Sequence, residues 1–180
     1  MNWIFIAMTV IQTKINNILE KKSLSINKLA NLIGNKNSSN LNQMILGKKP
    51  FSNSVFKKLL PILEVSREEF ESWVLADKYP KKILERAIQI KKEFPYKRKS
   101  ILTINIDKIL EEKEISRTAL AKQINYNQSG LNRMIIGKIS MSKPVLEKLS
   151  QTLEIPQNEI LAWIVADKYS LDALERALES

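Results

Sequence analysis

Cysteine and histidine are both absent from the 180 residues of this chain. Without cysteine there is no disulfide, no thiolate nucleophile and no iron–sulfur cluster, and the loss of both residue types excludes the usual zinc sites. The missing histidine also removes the common general base near neutral pH, so catalysis would depend on carboxylates, lysine or tyrosine. We therefore expect a protein that is not an enzyme and that uses no metal and no cofactor. No small-molecule ligand is evident from the sequence.

Glycine and proline are scarce, with four and six copies respectively. So few turn-forming residues leave few turns for a fold of many strands. Leu, Ile, Lys and Glu are abundant instead, and they favour helices. At 44% hydrophobic and 27% charged residues, the composition is that of a globular protein. We predict an all-α fold, built as one large domain or two small ones.

Acidic residues are in deficit, because 29 Lys and Arg stand against 19 Asp and Glu. The resulting formal charge of +10 favours a polyanionic partner. Nucleic acid is the first expectation and an anionic membrane surface the second.

The chain opens on an apolar segment, MNWIFIAMTVI, that is too short to span a bilayer. The segment also lacks the basic region and the small-residue cleavage site of a signal peptide. We expect an extension packed on the fold or on a partner, with Met8 as an alternative start of the chain. The expected localisation is cytoplasmic and nucleoid-associated, without membrane binding.

An internal repeat organises the remaining sequence. Aligned at an offset of 90 residues, its longest stretch has 18 identities in 39 positions. Upstream the offset becomes 91, because the first copy has one extra residue between Gly34 and Leu41. The matching stretches are Leu41–Tyr79 with Leu131–Tyr169, and Ile18–Ile33 with Ile109–Ile124.

The repeat predicts two domains of about 80 residues, a common domain size. The first would span residues 1–90, including the apolar N-terminal extension, and the second residues 101–180. Between them, residues 91–100 are rich in Lys and Arg and are interrupted by Pro95. We interpret this stretch as a basic linker, with a phosphate-contacting arm as the alternative.

Each copy has the apolar spacing of five or six short helices. In the second copy, SRTALAKQINYNQSGLNRMIIGK resembles the helix-turn-helix of the lambda-repressor and Cro family, also called XRE-type. The resemblance rests on Ala121, the turn residue Asn125, the Gln-Ser-Gly opening of the third helix, and Gly137 at its end. It covers residues 106–167 and, more loosely, residues 13–77.

The resemblance implies two tandem helix-turn-helix domains that bind double-stranded DNA sequence-specifically. The expected role is that of a transcriptional repressor of the phage, plasmid or mobile-element kind. Two tandem copies can mimic a dimer, with half-sites about 34 Å apart. Should the chain also pair with itself, helix five or the N-terminal apolar segment is the expected contact.

The outward residues of the third helix are the candidate base-reading residues. Leu131, Met134 and Ile135 follow helical spacing toward the core, which leaves polar residues facing outward. Arg pairs with guanine, Asn or Gln with adenine, and Ser with either base, although the same side chains also suit a solvated surface. The candidates are Gln128, Ser129, Asn132 and Arg133 in the second copy and Ser38, Ser39, Asn42 and Gln43 in the first.

Charge is segregated toward the helix-turn-helix part of each copy. Residues 21–63 contain eight basic residues and no acidic residue, and residues 115–146 contain five basic residues and no acidic residue. Such a tract is typical of a phosphate-facing surface. The phosphate-contacting candidates are Arg117, Lys138, Ser142 and Lys143 in the second copy and Lys28, Lys48, Lys49 and Ser52 in the first. Ile26 stands at the position of Arg117, so the first copy lacks that cation.

One alternative function stays open at the level of sequence. The repeats could form a protein-interaction module that holds another protein rather than DNA.

Two repeated pairs of residues have simpler interpretations than a functional site. We expect Trp73 and Trp163 to lie in the core rather than at an interface. We expect Asp77 and Asp167 to form ion pairs or to cap helices rather than to act as catalytic acids. Because its third helix has the better base-reading residues, we expect the second copy to supply more of the specificity and the first copy, with the linker, more of the non-specific affinity.

Overall fold

A computed structural model describes residues 8–34, 38–95 and 99–180. Within these ranges the chain forms twelve α-helices and no strand, so the predicted all-α class is confirmed. No helix in the described ranges is long and apolar enough to cross a membrane. The predicted packing of residues 1–7, like residues 96–98 of the predicted linker, lies outside the described residues.

Each repeat contributes six helices. In the first repeat these are α1 (Val10–Lys21), α2 (Ile26–Leu32), α3 (Ser38–Ile45), α4 (Asn53–Leu63), α5 (Arg67–Lys78) and α6 (Lys81–Glu93). In the second they are α7 (Ile101–Glu112), α8 (Arg117–Gln123), α9 (Gln128–Ile135), α10 (Lys143–Leu153), α11 (Gln157–Lys168) and α12 (Leu171–Glu179).

The end of α6 departs from the predicted linker. The helix continues through Lys91 and Lys92 to Glu93, so the first three residues of the 91–100 range are helical. Two features stabilise the last turn of α6. Ile90 is buried, and Lys91 and Lys92 place positive charge where it interacts favourably with the helix dipole.

Serine and threonine side chains cap the start of several helices. In each case the hydroxyl oxygen accepts a hydrogen bond from a backbone N–H in the first turn, a group that would otherwise have no partner. These caps are Thr9, Ser25, Ser52, Ser66, Ser100 and Ser116.

A carboxylate from the fifth helix of each repeat caps the first helix of the same repeat. The two oxygens of Asp77 accept hydrogen bonds from the backbone N–H groups of Val10 at 2.7 Å and Ile11 at 3.0 Å. Asp167 accepts the equivalent bonds from the first two residues of α7 at 2.8 and 3.0 Å. A negative charge here also opposes the positive end of the helix dipole. The predicted capping role of both aspartates is confirmed.

The chain divides into two compact units that cut across the predicted ranges 1–90 and 101–180. Unit 1 runs to Lys81 and includes Asp172–Ser180, so it holds α1–α5 and nearly all of α12. Unit 2 is Lys82–Leu171 and holds nearly all of α6 together with α7–α11. The predicted boundary follows the repeat along the chain, whereas a compact unit follows the packing of its helices.

The two units have equivalent cores. In unit 1, α1 packs on α5, and Phe70 makes edge-on contacts with Phe51 and Phe56 at centroid distances of 5.1 Å. In unit 2, α7 packs on α11 in the same way. Trp73 and Trp163 are 3% and 5% exposed, which confirms that both indoles belong to the core.

Candidate nucleic-acid interface

The α8–turn–α9 segment of unit 2 has the local geometry that the sequence predicts. After α8, Asn125 adopts a left-handed conformation with φ of +50°, and the N–H of Tyr126 donates to the carbonyl of Ala121 at 2.9 Å. Asparagine tolerates this conformation better than most residues with a side chain. The turn therefore reverses the chain in a few residues and starts α9 at Gln128.

Gly130 is required by the cap of α9 rather than by its own backbone. The Oδ1 of Asn127 accepts a hydrogen bond from the N–H of Gly130 at 2.6 Å. A Cβ atom on Gly130 would lie 2.8 Å from that oxygen and 3.0 Å from a ring carbon of Tyr126. The Gln-Ser-Gly opening is thus explained by close packing beneath the capping side chain.

The inward face of α9 is the predicted one. Leu131, Met134 and Ile135 are buried. Gln128, Ser129 and Arg133 are exposed, so the structure places three of the four second-repeat candidates on the surface of one helix. Their contact with bases stays a prediction.

Asn132 corrects the expectation that all four candidates point outward. It is half-buried, and its Oδ1 is buried without a hydrogen-bond partner among the described residues. The reason is angular. Successive residues of an α-helix are about 100° apart, so Asn132 lies on the flank next to Leu131, while Ser129 and Arg133 share the centre of the outer face.

The first-repeat candidates on α3 are less evenly exposed. Ser39 and Asn42 are exposed, whereas Ser38 and Gln43 are half-buried. Where the second repeat has Gly130, this helix has Asn40, whose Oδ1 accepts a hydrogen bond from the ammonium group of Lys49 at 3.1 Å.

Arg117, the first of the phosphate-contacting candidates, is bound within unit 2. Its Nε donates to Oδ1 of Asp107 at 2.8 Å, and its Nη2 contacts the same oxygen. The guanidinium charge is therefore neutralised locally. A phosphate contact at this position has to compete with the carboxylate of Asp107.

The other candidates after α9 are more open. Lys138, Ser142 and Lys143 are exposed, and the hydroxyl of Ser142 makes no capping bond to α10. The Nζ of Lys143 is 4.0 Å from a Glu147 oxygen, which at this exposure contributes little to stability. Ser142 and Lys143 stand at the start of α10, where anions bind favourably.

The corresponding first-repeat candidates are also at the surface. Lys28, Lys48 and Lys49 are exposed, and Lys49 is the residue that bonds Asn40. Ser52 is exposed too, but its hydroxyl is used, because it accepts a hydrogen bond from the N–H of Val55 at 3.4 Å.

Two lysines, one in each repeat, have an internal role that the sequence patterns did not predict. The ammonium group of Lys148 donates to the carbonyl of Ile124 at 3.0 Å, and that of Lys58 donates to the carbonyl of Ile33 at 2.9 Å. Each lysine thus ties the fourth helix of its repeat to the end of the second. The offset of 90 residues between them was the available signal.

A second missed feature anchors the end of α9. The hydroxyls of Ser100 and Thr103 donate to the carbonyl of Ile135 at 3.2 and 3.1 Å. They satisfy a carbonyl at the end of a helix and fix α9 against the start of α7. In the first repeat, the same positions hold Thr9 and Gln12, which form a capping box with each other.

No cluster of acidic residues in the described part of the chain has the geometry to hold a metal ion. The chemistry available at this surface is hydrogen bonding and positive charge. Both are directed outward from α9 and from the residues that follow it.

Comparison with known protein families identifies this same region. Residues 105–166 match the family model of the Cro/C1-type HTH DNA-binding domain. The match covers about a third of the chain and includes α8, α9 and α10 in full. It confirms the resemblance predicted for the second repeat. No curated protein and no solved structure matches the chain.

Proposed function

We propose that the protein binds double-stranded DNA sequence-specifically through α9, and that it is a transcriptional repressor of the phage, plasmid or mobile-element kind. Two findings that coincide in one region support the proposal. Residues 105–166 match the model of the Cro/C1-type HTH DNA-binding domain. Within this range, the short helix α9 has Gln128, Ser129 and Arg133 exposed on its surface.

These side chains have the chemistry for direct readout. The major groove of B-DNA is about 12 Å wide and admits an α-helix. Arg133 and Ser129, at the centre of the outer face, would reach the base edges, with Arg133 pairing to the O6 and N7 of guanine. Gln128, at the start of the helix, would bond adenine.

Asn132 takes a different place in this proposal. Its unpartnered Oδ1 is an acceptor that lacks a donor in the free protein, which costs on the order of 1–3 kcal/mol. Because this oxygen is buried, a base amino group would reach it only after the side chain changes its rotamer. We therefore assign Asn132 to the edge of the interface rather than to its centre.

Phosphate contacts would come from the residues that follow α9. Lys138 and Lys143 supply charge, and Ser142 offers a hydroxyl that is not used for capping. Such contacts position the protein without reading sequence. Arg117 joins them once DNA displaces its carboxylate partner.

The first repeat is proposed as a second helix-turn-helix. Its support is the repeated internal geometry: Asp77 caps its first helix as Asp167 does in the second repeat, and Lys58 repeats the bond made by Lys148. The base-reading candidates on α3 differ from those on α9, so unequal half-sites follow. They are Ser38, Ser39, Asn42 and Gln43, with Lys28, Lys48, Lys49 and Ser52 on phosphate.

A protein-interaction module is the second candidate function. The observation in its favour is the exposure of three large apolar side chains near the helix-turn-helix segments. Leu32, Leu46 and Ile136 are 56%, 38% and 41% exposed. A protein partner would cover them, and binding through them would not weaken steeply as salt is raised.

Selection from randomised duplex DNA tests the proposal. The full chain is expected to enrich one site with two unequal halves, and its affinity for that site is expected to fall steeply with salt, because phosphate contacts release counterions. A variant in which Gln128, Ser129 and Arg133 are all alanine is the matched control and should enrich no site. No binding of the native chain to any duplex at low salt would contradict the proposal.

A further inference from the structure

The sixth helix of each repeat belongs to the compact unit formed by the other repeat. Helix α6 is the last helix of the first repeat, but all of it except Lys81 lies in unit 2, Lys82–Leu171. Helix α12 is the last helix of the second repeat, but all of it except Leu171 lies in unit 1, as part of Asp172–Ser180. Each unit therefore contains five helices of one repeat and the last helix of the other.

The two exchanged helices are equivalent elements. Both contain the tetrapeptide Leu-Glu-Arg-Ala, at Leu84–Ala87 and at Leu174–Ala177, and the offset is again 90 residues. Both helices bury the leucine and the alanine of this motif. These buried residues are Leu84 and Ala87 in α6, and Leu174 and Ala177 in α12. The repeat thus extends further than the helix-turn-helix segment, through its sixth helix.

Helix α6 is fixed in unit 2 by charged contacts as well as by apolar burial. The Nη2 of Arg86 lies 2.7 Å from Oε1 of Glu159, and its Nε lies 2.9 Å from Oε2. Glu159 also accepts a hydrogen bond from the indole of Trp163 at 3.1 Å. The ammonium group of Lys91 donates to the carbonyl of Ala166 at 2.7 Å, near the end of α11.

Unit 1 brings together the equivalent pair of positions. Arg176 and Glu69 stand 90 residues from Arg86 and Glu159 respectively. The pKa of Arg176 is raised by its hydrogen bond to Asp172, by the charge of Asp172 and then by the charge of Glu69. Arg86 is thus ion-paired with the fifth helix of the second repeat, while Arg176 is ion-paired with Asp172 of its own helix and lies close enough to Glu69 for that charge to act on it.

We propose that the two repeats exchange their sixth helices, so that each five-helix body presents an apolar surface whose occupant is the other repeat's sixth helix. Neither repeat is then complete by itself. Removing one sixth helix from its place uncovers core residues of the other repeat. This inference concerns the fold and is independent of the proposed DNA binding.

The alternative arrangement makes a different pairing, and this provides the test. Without exchange, Arg86 would meet Glu69 and Arg176 would meet Glu159. Arg86→Glu in the full chain should lower the urea midpoint measured by circular dichroism. Adding Glu159→Arg should restore about half or more of that loss, whereas adding Glu69→Arg should restore none. Rescue by Glu69→Arg in place of Glu159→Arg overturns the proposal.

A covalent measurement keeps the test decisive if the charge-reversed variants fold poorly. Since the chain has no cysteine, cysteines can be introduced as the only thiols. Arg86→Cys with Glu159→Cys is expected to crosslink within one chain when treated with a short bis-maleimide at low protein concentration. Arg86→Cys with Glu69→Cys is expected not to. Crosslinking of the second pair, or of neither pair, overturns the exchange.

Discussion

The carboxylate of Asp107 holds the guanidinium of Arg117 at 2.8 Å, between the first and second helices of the second repeat. Arg117 occupies the position where the resemblance implies a contact to the DNA backbone. Its availability is therefore set by a residue ten positions earlier in the sequence. Replacing that carboxylate is therefore expected to change DNA affinity without altering the proposed base-reading residues.

Asp107→Asn should strengthen binding to any duplex. The substitution keeps the size of the side chain while removing a negative charge near phosphate and freeing Arg117. We expect a gain of about 1 kcal/mol, or roughly fivefold in affinity, for target and random DNA alike. Fluorescence anisotropy at fixed salt measures it. The gain should disappear in Asp107→Asn with Arg117→Ala, and an unchanged affinity in Asp107→Asn would exclude the proposed role of Arg117.

Lys138→Ala should weaken binding to all sequences equally. Because the proposed partner of Lys138 is a phosphate, its loss removes counterion release without removing base readout. The slope of log affinity against log salt should fall in magnitude by about 1. Lys148→Ala removes the same charge from a lysine that has an internal role, since the ammonium group of Lys148 donates to the carbonyl of Ile124. The salt dependence of the two variants is therefore compared. An altered ratio of specific to random binding in Lys138→Ala would argue against a phosphate contact.

Gly130→Ala should destabilise unit 2 because the added Cβ would lie 2.8 Å from Oδ1 of the capping Asn127. We expect a cost of about 1–3 kcal/mol in the free energy of unfolding, as for other overpacked sites. Denaturation by urea measures it. Asn127→Ser shortens the capping side chain and, combined with Gly130→Ala, should recover part of the loss. If Gly130→Ala is as stable as the native chain, the close approach is not a constraint.

Glu159 should make stability depend on pH in the acidic range. Its hydrogen bond to Arg86 is the largest cause that lowers its pKa below the ordinary value of 4.5. The folded state therefore binds this proton less readily than the unfolded state does. The resulting stabilisation is complete above pH 4.5 and is lost as the pH falls through the lower folded value. Urea midpoints of native and Glu159→Gln chains should differ at pH 6 and converge as the pH falls below 4.5 through the lowered pKa of Glu159. A constant difference would contradict the ion pair.

Local sequence patterns predicted most of the helical fold. Apolar spacing identified the inward face of α9, and the left-handed turn followed from the properties of Asn125. The burial of Trp73 and Trp163 was also predicted. These features depend on residues close together in the chain, so a single sequence is enough to read them.

Other features depend on packing that a local pattern does not contain. Asn132 is polar, and helical spacing predicts an outward side chain, but its position on the flank of α9 buries its oxygen. The bond of Arg117 to Asp107 joins two helices, and nothing in either residue alone indicates it. The exchange of sixth helices is the extreme case. Because α6 and α12 share the same motif, sequence similarity does not distinguish which five-helix body each one completes.

The central claim is that α9 of the second repeat reads DNA sequence, and the binding of Arg133→Ala to target and scrambled duplexes tests it most directly. If α9 reads sequence, Arg133→Ala should lose about 1–3 kcal/mol on the selected target, with relaxed preference at one guanine, and much less on scrambled DNA. Equal, unchanged affinities for both duplexes would contradict it.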